Sequence, residues 1–232
     1  PEPLRVRDGN IYGRSLRQPL IEQLRVAGDT LEIRGQRLRG PATQVWVGEQ
    51  QLPAGNLAVN DSLITVALPV DVPAGLQSVQ VVHTAPLGAP PAQHRVAESN
   101  ALPCVVRPRI QRRTGEAWAI DLLPPAAGER APTVRVQIDP PRALGQRAQL
   151  LLNEYRLQPF GEQPARAYSF GVPPRAADEP GDLVSARMDG ALPGTYLVRV
   201  RVDGAESLLE YGADPADPAE TKLERYYAPK VI

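Results

Sequence analysis

Short runs with apolar residues at every second position, separated by turn residues, recur along the whole chain. In Thr30 to Arg34, Leu31 and Ile33 point one way while Glu32 and Arg34 point the other. That is the period of a half-buried strand, because successive side chains on an extended backbone face opposite sides. Val45 and Val47 alternate within Gln44 to Val47, Gly48-Glu49 supplies a turn and Gln51-Leu52 returns, which predicts a hairpin. Further strands are predicted at Leu63 to Leu68, Ser78 to Val82 and Cys104 to Arg107, divided by turn chemistry such as Asn60-Asp61 and Pro73-Ala74-Gly75.

A second series follows. Val134, Val136 and Ile138 alternate against Arg135 and Gln137, and strands are then predicted at Gln149 to Leu152, Leu183 to Met188 and Thr195 to Val202. The two series share landmarks: the segment from Gln44 to Pro53 resembles that from Gln149 to Pro159, and Pro73 to Val81 resembles Pro193 to Val200. With 26 Pro and 19 Gly among 232 residues, few windows remain for a helix of ordinary length. Strands at short regular spacing, in two copies of the size of one sandwich, predict an all-β protein of two tandem immunoglobulin-like β-sandwich domains. The first sandwich is assigned to residues 18–108 and the second to 109–212, with a stiff joint near Arg107-Pro108-Arg109-Ile110. Residues 1–17 are expected to form a lead-in linker or edge strand, 159–182 a long surface loop, and 213–232 a C-terminal tail.

Charge and composition narrow the chemistry. Lys plus Arg and Asp plus Glu are both 26, which removes the long-range field that would draw the chain onto nucleic acid or an anionic membrane. No apolar run is long enough to span a bilayer as a helix. A single cysteine, Cys104, excludes an intrachain disulfide and suits a reducing compartment; next to Val105 it reads as a small buried hydrophobe. His83 and His94 stand outside any zinc-ligand pattern and read as exposed strand or loop residues. The pairs Asp178-Glu179 and Asp214 with Asp217 lack the spacing of a calcium loop and read as solvated charges. Asn60-Asp61-Ser62 fits the glycosylation pattern, which has meaning only in a secreted eukaryotic chain, and is set aside. No phosphate-cradling loop, GxSxG elbow or HExxH run is present, so no catalytic, cofactor or metal site is expected.

Candidate contact residues are Trp46, Arg107, Arg109, Arg112 and Arg113. Trp46 alternates with core valines and should face outward, where it either anchors a partner or lies under a neighbouring loop. The four arginines are the densest basic run; they read as a solvated domain joint or as a salt-sensitive protein contact.

The stretch from Ala27 to Pro41, with Gly28-Asp29-x-Leu31 before a strand and Gly35-x-x-Leu38 after it, resembles the opening of an IPT/TIG immunoglobulin-like domain. Together with Glu98 to Ile110, Leu144 to Leu152 and Pro193 to Leu209, it is similar to the carboxy-terminal region of the cap, or tube-terminator, family of contractile injection systems, which are phage-tail-like particles. The resemblance covers residues 18–212 and implies a non-enzymatic structural or docking module with protein partners among cap, tube or sheath components. It implies a bacterial assembly formed in the cytoplasm, able to leave the cell as a particle, without nucleic-acid binding or membrane insertion. A start at Pro1 without Met predicts a piece of a longer polypeptide, and oligomerisation is expected only through an upstream domain. The competing readings are an adhesin or carbohydrate-binding module, for which the sequence offers no cluster of aromatics, and accessory domains of an enzyme whose catalytic part lies upstream.

Overall fold

The computed structural model describes residues 18–115, 117–155, 164–213 and 224–232. The chain is all-β and forms two tandem immunoglobulin-like sandwiches. One compact unit comprises Pro1–Val72 and Leu76–Val105, the other Pro73–Gly75 and Val106–Ile232. Apart from one 3-10 turn at Ala54–Asn56, the regular elements among the described residues are strands.

The first unit has strands β1 (Leu20–Ala27), β2 (Thr30–Gln36), β3 (Ala42–Val47), β4 (Gln50–Gln51), β5 (Leu57–Val59), β6 (Leu63–Ala67), β7 (Gly75–Leu87), β8 (Ala92–Glu98) and β9 (Leu102–Val106). One sheet runs β1-β2-β6-β5; the other runs β4-β3-β7-β8, with β9 also on β7. Alternation does what the sequence predicts: Leu31, Ile33, Ile64 and Val66 from one sheet and Val45, Val47, Val79 and Val81 from the other are buried. Each such side chain contributes about 1.5–3 kcal/mol on leaving water.

The IPT-like motif has a physical reading in this unit. Gly28, at φ 59, makes the tight β1–β2 turn that a side chain would strain. Gly35 lies where a Cβ would sit 1.9 Å from the carbonyl oxygen of Leu20, so only glycine lets β1 approach. Leu31 and Leu38 are both fully buried.

The second unit has β10 (Arg109–Ile110), β11 (Ile120–Leu123), β12 (Thr133–Asp139), β13 (Ala148–Glu154), β14 (Ala167–Val172), β15 (Leu183–Arg187), β16 (Tyr196–Val202), β17 (Ala205–Glu206), β18 (Glu210–Ala213), β19 (Glu224–Ala228) and β20 (Lys230–Val231). One sheet centres on β12, flanked by β10, β11 and β15; the other runs β14-β13-β16-β17, with β20 also on β16. Val134, Val136, Ile138 and Val184 face Leu150, Leu152, Val198, Val200 and Val202 across a continuous core. Tyr196 opens β16, and its hydroxyl donates to the carbonyl oxygen of Leu192 at 2.6 Å, four residues upstream. This is the tyrosine-corner geometry of immunoglobulin-like folds.

The repeat seen in sequence is topological. β3 pairs antiparallel with β7, and β13 pairs antiparallel with β16. A second correspondence was missed. Ser99 follows Ala97-Glu98, and its hydroxyl accepts from the Val81 amide at 2.9 Å while its own amide donates to the Val81 carbonyl. Ser207 follows Ala205-Glu206 and makes the same two bonds to Val200.

Three expectations need correction. Within the predicted loop 159–182, Ala167–Val172 is strand β14, paired with β13 from Ala148↔Val172 to Asn153↔Ala167. The rest of that segment is tied down by arginines: Arg175 donates to the carbonyls of Glu179 and Arg142, and buried Arg142 donates to that of Leu183 at 3.0 Å. The region 213–232, expected as a tail, supplies β19 and β20, the latter pairing Tyr196↔Val231 and Leu197↔Lys230 in the second unit. His83 is not exposed. His83 keeps the phase of the core residues Val79 and Val81 on β7, whose register with β3 is unbroken, and all four residues from Val81 to Thr84 are buried; the bulge opposite His83 and Thr84 is in β8, where Val96 is the extra residue. The His83 Nε2 lies 3.1 Å from the Leu38 carbonyl oxygen, and its ring fills the space beside Gly40.

Candidate functional site

Strands β18 and β19 form a two-stranded arm. Their register runs Glu210↔Ala228, Tyr211↔Tyr226, Gly212↔Arg225 and Ala213↔Glu224, with a bulge between Glu210 and Tyr211. Tyr211 and Tyr226 are thus cross-strand neighbours. Their ring centroids lie 5.2 Å apart at 68°, an edge-to-face contact. Both remain 60% and 56% exposed, and Leu208, just before the arm, is 72% exposed. Scattered apolar residues on a surface are ordinary; two exposed tyrosines in ring contact are a compact apolar feature.

A lone two-stranded ribbon is marginal in water, so the arm needs holding. At its base Glu210 accepts an ion-paired hydrogen bond from Arg112, whose guanidinium lies 4.1 Å from the centroid of the Trp118 ring. The Arg225 guanidinium of β19 and the Lys230 ammonium of β20 stand 4.6 and 3.8 Å from the centroid of the Tyr155 ring. Ala228 is buried, and the Pro229 carbonyl oxygen accepts from the Val198 amide at 2.9 Å. The base is fixed to β16 and the tyrosines are presented on a held support, which lowers the ordering entropy that a contact would cost.

Of the residues singled out in the sequence, Arg112 is the one the structure brings to the arm. The other three arginines separate. Arg109 pairs with Asp139 at 2.7 Å, Arg113 with Asp121 at 2.6 Å, and Arg107 donates to the Glu206 carbonyl at 3.1 Å. Three of the four thus sit beside carboxylates, so the run does not present a bare basic patch. Trp46 belongs to the first unit. It is half-buried between flanking core valines, its Nε1 donates to Gln44 Oε1 at 3.3 Å, and the Arg95 guanidinium lies 4.7 Å from the centroid of its ring. The sequence leaves two expectations for Trp46, a partner anchor or cover by a loop; the cation contact that its ring makes comes from Arg95 on strand β8.

The tyrosines of the arm were not found in sequence. Tyr211 and Tyr226 lie on either side of an Ala-Asp-Pro repeat that begins at Ala213 and has the composition of a loop. The signal that could have found them is the pair of short aromatic runs Glu210-Tyr-Gly and Arg225-Tyr-Tyr-Ala on either side of a Pro/Asp-rich connection.

Elsewhere the chemistry is quiet. Burial pushes the Cys104 thiol pKa up, away from the reactive thiolate. Among the described residues no group of three or more His, Cys, Asp and Glu could hold a metal ion. Asp178 and Glu179 are exposed, and Asp214 and Asp217 lie outside the described residues. Asn60 closes a turn, its Oδ1 accepting from the amides of Ser62 and Leu63 at 3.0 and 2.7 Å. Glu154, Arg166, Tyr196 and Tyr168 converge at one end of the second core. The Arg166–Glu154 bond at 2.6 Å holds the guanidinium pKa above its usual value, and burial raises that of the Tyr196 phenol; these serve the tyrosine corner.

No curated protein matches the sequence. Residues 108–232 match a family model, and that span coincides with the second sandwich and its arm. Since the match takes in more than half of the 232 residues, the chain belongs to the family described as Domain of unknown function (DUF8756).

Proposed function

We propose that this chain is a non-enzymatic docking module, the immunoglobulin-like part of a cap protein in a contractile, phage-tail-like particle, and that the β18–β19 arm is one of its protein contacts. The observation that carries the docking reading is the paired, solvent-facing Tyr211 and Tyr226 on a braced support. Tyrosine is enriched among residues that dominate interface energy, because it covers a large area with few torsions to freeze. The particle context rests on the resemblance of Gly28 to Leu38, Glu98 to Ile110 and Pro193 to Leu209 to the cap family. In this reading the partners are cap, tube or sheath components, the setting is a bacterial cytoplasmic assembly that can be released, and neither a cofactor nor nucleic acid takes part.

The test is retention on particles. A photo-crosslinker at position 211 of the intact protein should capture a defined particle component. Tyr211→Ser with Tyr226→Ser should cut retention at least roughly tenfold, the equivalent of one strong interface residue, with an unchanged melting temperature. Retention equal to that of the unmodified protein would remove the arm from the interface, and absence from purified particles would remove the particle reading.

A second reading is favoured by the same pair. Tyrosines that are remote in sequence meet on the surface, which supplies the aromatic platform a carbohydrate-binding module needs. Binding of several related sugars on a glycan array, lost in the double tyrosine variant, would select that reading.

A further inference from the structure

The outer edge of the second unit's larger sheet carries a feature that the fold does not use. Among the described residues, β14 hydrogen-bonds to β13 alone and is an edge of its sheet. Natural edge strands are blunted by charge, proline or a bulge. Residues 167–172 read Ala-Tyr-Ser-Phe-Gly-Val and have no charged residue and no proline, and their register with β13 is unbroken. Gly171 sits exposed within this strand. A Cβ there would meet nothing within 4 Å, and its φ is outside the left-handed region, so neither crowding nor backbone conformation calls for glycine. A strand glycine without a local reason marks a place where another backbone or a ligand comes close.

The register extends the argument across the sheet. Gly171 stands opposite Gln149, and Gln149 opposite Arg201, so the outward row runs Arg201, Gln149, Gly171 and then the open edge. This row lines a concavity of about 340 Å³ to which Arg147 and Asp203 also contribute. No hydrogen bond or ion pair among the described residues engages the Arg147 guanidinium. Arg199 and Arg201 share the single carboxylate of Glu206. Arg147, Arg201 and Asp203 line the concavity, and Arg201 shares Glu206 with Arg199; these three guanidiniums and two carboxylates together leave one positive charge in excess.

We propose that β14 accepts an extended strand from a partner protein, and that the residue paired with Gly171 is an Asp or Glu whose carboxylate lies over the glycine toward Arg147 and Arg201. Main-chain hydrogen bonds along 167–172 supply affinity, and the excess cation selects the side chain. Strands lie about 4.8 Å apart, so a residue paired with Gly171 starts two spacings from Gln149. Carboxylate and guanidinium close that gap from opposite sides, with no side chain on Gly171 between them. The site is remote in sequence from Tyr211 and Tyr226, and its test is separate from theirs.

The experiment uses the full chain and a short synthetic peptide of alternating Thr and Val with a central Glu, together with versions carrying Gln or Lys at the centre. Amide exchange is followed residue by residue. The Glu peptide is expected to slow exchange along 167–172 and to bind roughly tenfold more tightly than the Lys peptide, the scale of one close charge pair. Arg147→Glu should reverse that order, and Gly171→Val, whose Cβ would meet nothing within 4 Å, should abolish it. Three outcomes overturn the proposal: no slowing along 167–172 with any peptide while core amides stay protected; equal binding of Glu and Lys peptides; or slowing that grows with the chain's own concentration without peptide, which would seat a second copy on the edge.

Discussion

Replacing Gly35 with alanine adds one methyl group to a strand interior, a change that elsewhere in an extended strand is favourable or neutral. Here the new Cβ would lie 1.9 Å from the Leu20 carbonyl oxygen, 3.0 Å from its carbon and 3.2 Å from the Ile21 Cα. All three are backbone atoms, so no side-chain rotation relieves the overlap and the first residues of β1 must withdraw from β2. Three stabilising features then go together. Ile21 is 2% exposed, and uncovering it costs about 1.5–3 kcal/mol. The Asn100 side chain holds Ile21 on both sides, Oδ1 accepting from its amide at 2.8 Å and Nδ2 donating to its carbonyl at 3.0 Å. Each of these bonds is worth about 0.5–1.5 kcal/mol net. Gly35→Ala should therefore destabilise the first unit by about 3–5 kcal/mol. Urea unfolding followed by Trp46 fluorescence measures it, with Gly55→Ala as the control, since a Cβ there meets nothing within 4 Å. A loss below about 1 kcal/mol, the size of an ordinary surface change, would show that β1 does not need to approach so closely. Combined with Asn100→Ala, the loss should be less than the sum of the two, because both act through the same withdrawal of Ile21.

Ile33→Asp and Val136→Asp each place a carboxylate where the native side chain is fully buried, and should lower stability by about 3 kcal/mol or more in urea titrations. Ser99→Ala and Ser207→Ala each remove the oxygen that receives a buried strand amide, and should each cost about 1–3 kcal/mol; being in different units, their losses should add in the double variant. Native Cys104 should resist thiol reagents at mildly alkaline pH and react at once in denaturant. Because the folded thiol holds its proton more tightly than the unfolded one, stability should fall as pH climbs through the ordinary thiol range, and a rise there would contradict the burial.

Most strands that the sequence revealed are inner ones, although β4, β9 and β15, each paired on one side, were legible too. β2, β3, β7, β12, β13 and β16 each have partners on both sides and a core on one face, and this environment imposes period two on their side chains. Edge strands escape that constraint. β1 reads Leu-Ile-Glu-Gln-Leu-Arg-Val-Ala, with a bulge between Ile21 and Gln23, and does not alternate cleanly. β14 is framed by prolines and has a glycine within it, so turn chemistry outweighed the strand signal of Tyr168, Phe170 and Val172. His83 has the phase of Val79 and Val81 on β7 and is buried with them, a position that its polar side chain hides in the letters. The arm was illegible because its two tyrosines meet only through a cross-strand register that sequence does not state.

The two serines explain why the halves could keep one geometry while their lengths drifted apart. In both units the last bond on the central strand comes from an Ala-Glu-Ser stretch. Alanine enters the core at Ala97 and Ala205, and serine caps an amide that would otherwise be buried without a partner. The glutamate between them points outward, accepting from Gln80 on one central strand and from Arg199 and Arg201 on the other. Such a unit fixes where a strand leaves the sheet without fixing how long the preceding hairpin is. The first unit could therefore lengthen β7 and β8 to thirteen and seven residues, while the second kept the tight Asp203-Gly204 turn, with φ 41 and 87. That short turn places Asp203 and Gly204 in the wall of the concavity that Arg147 and Gly171 also line.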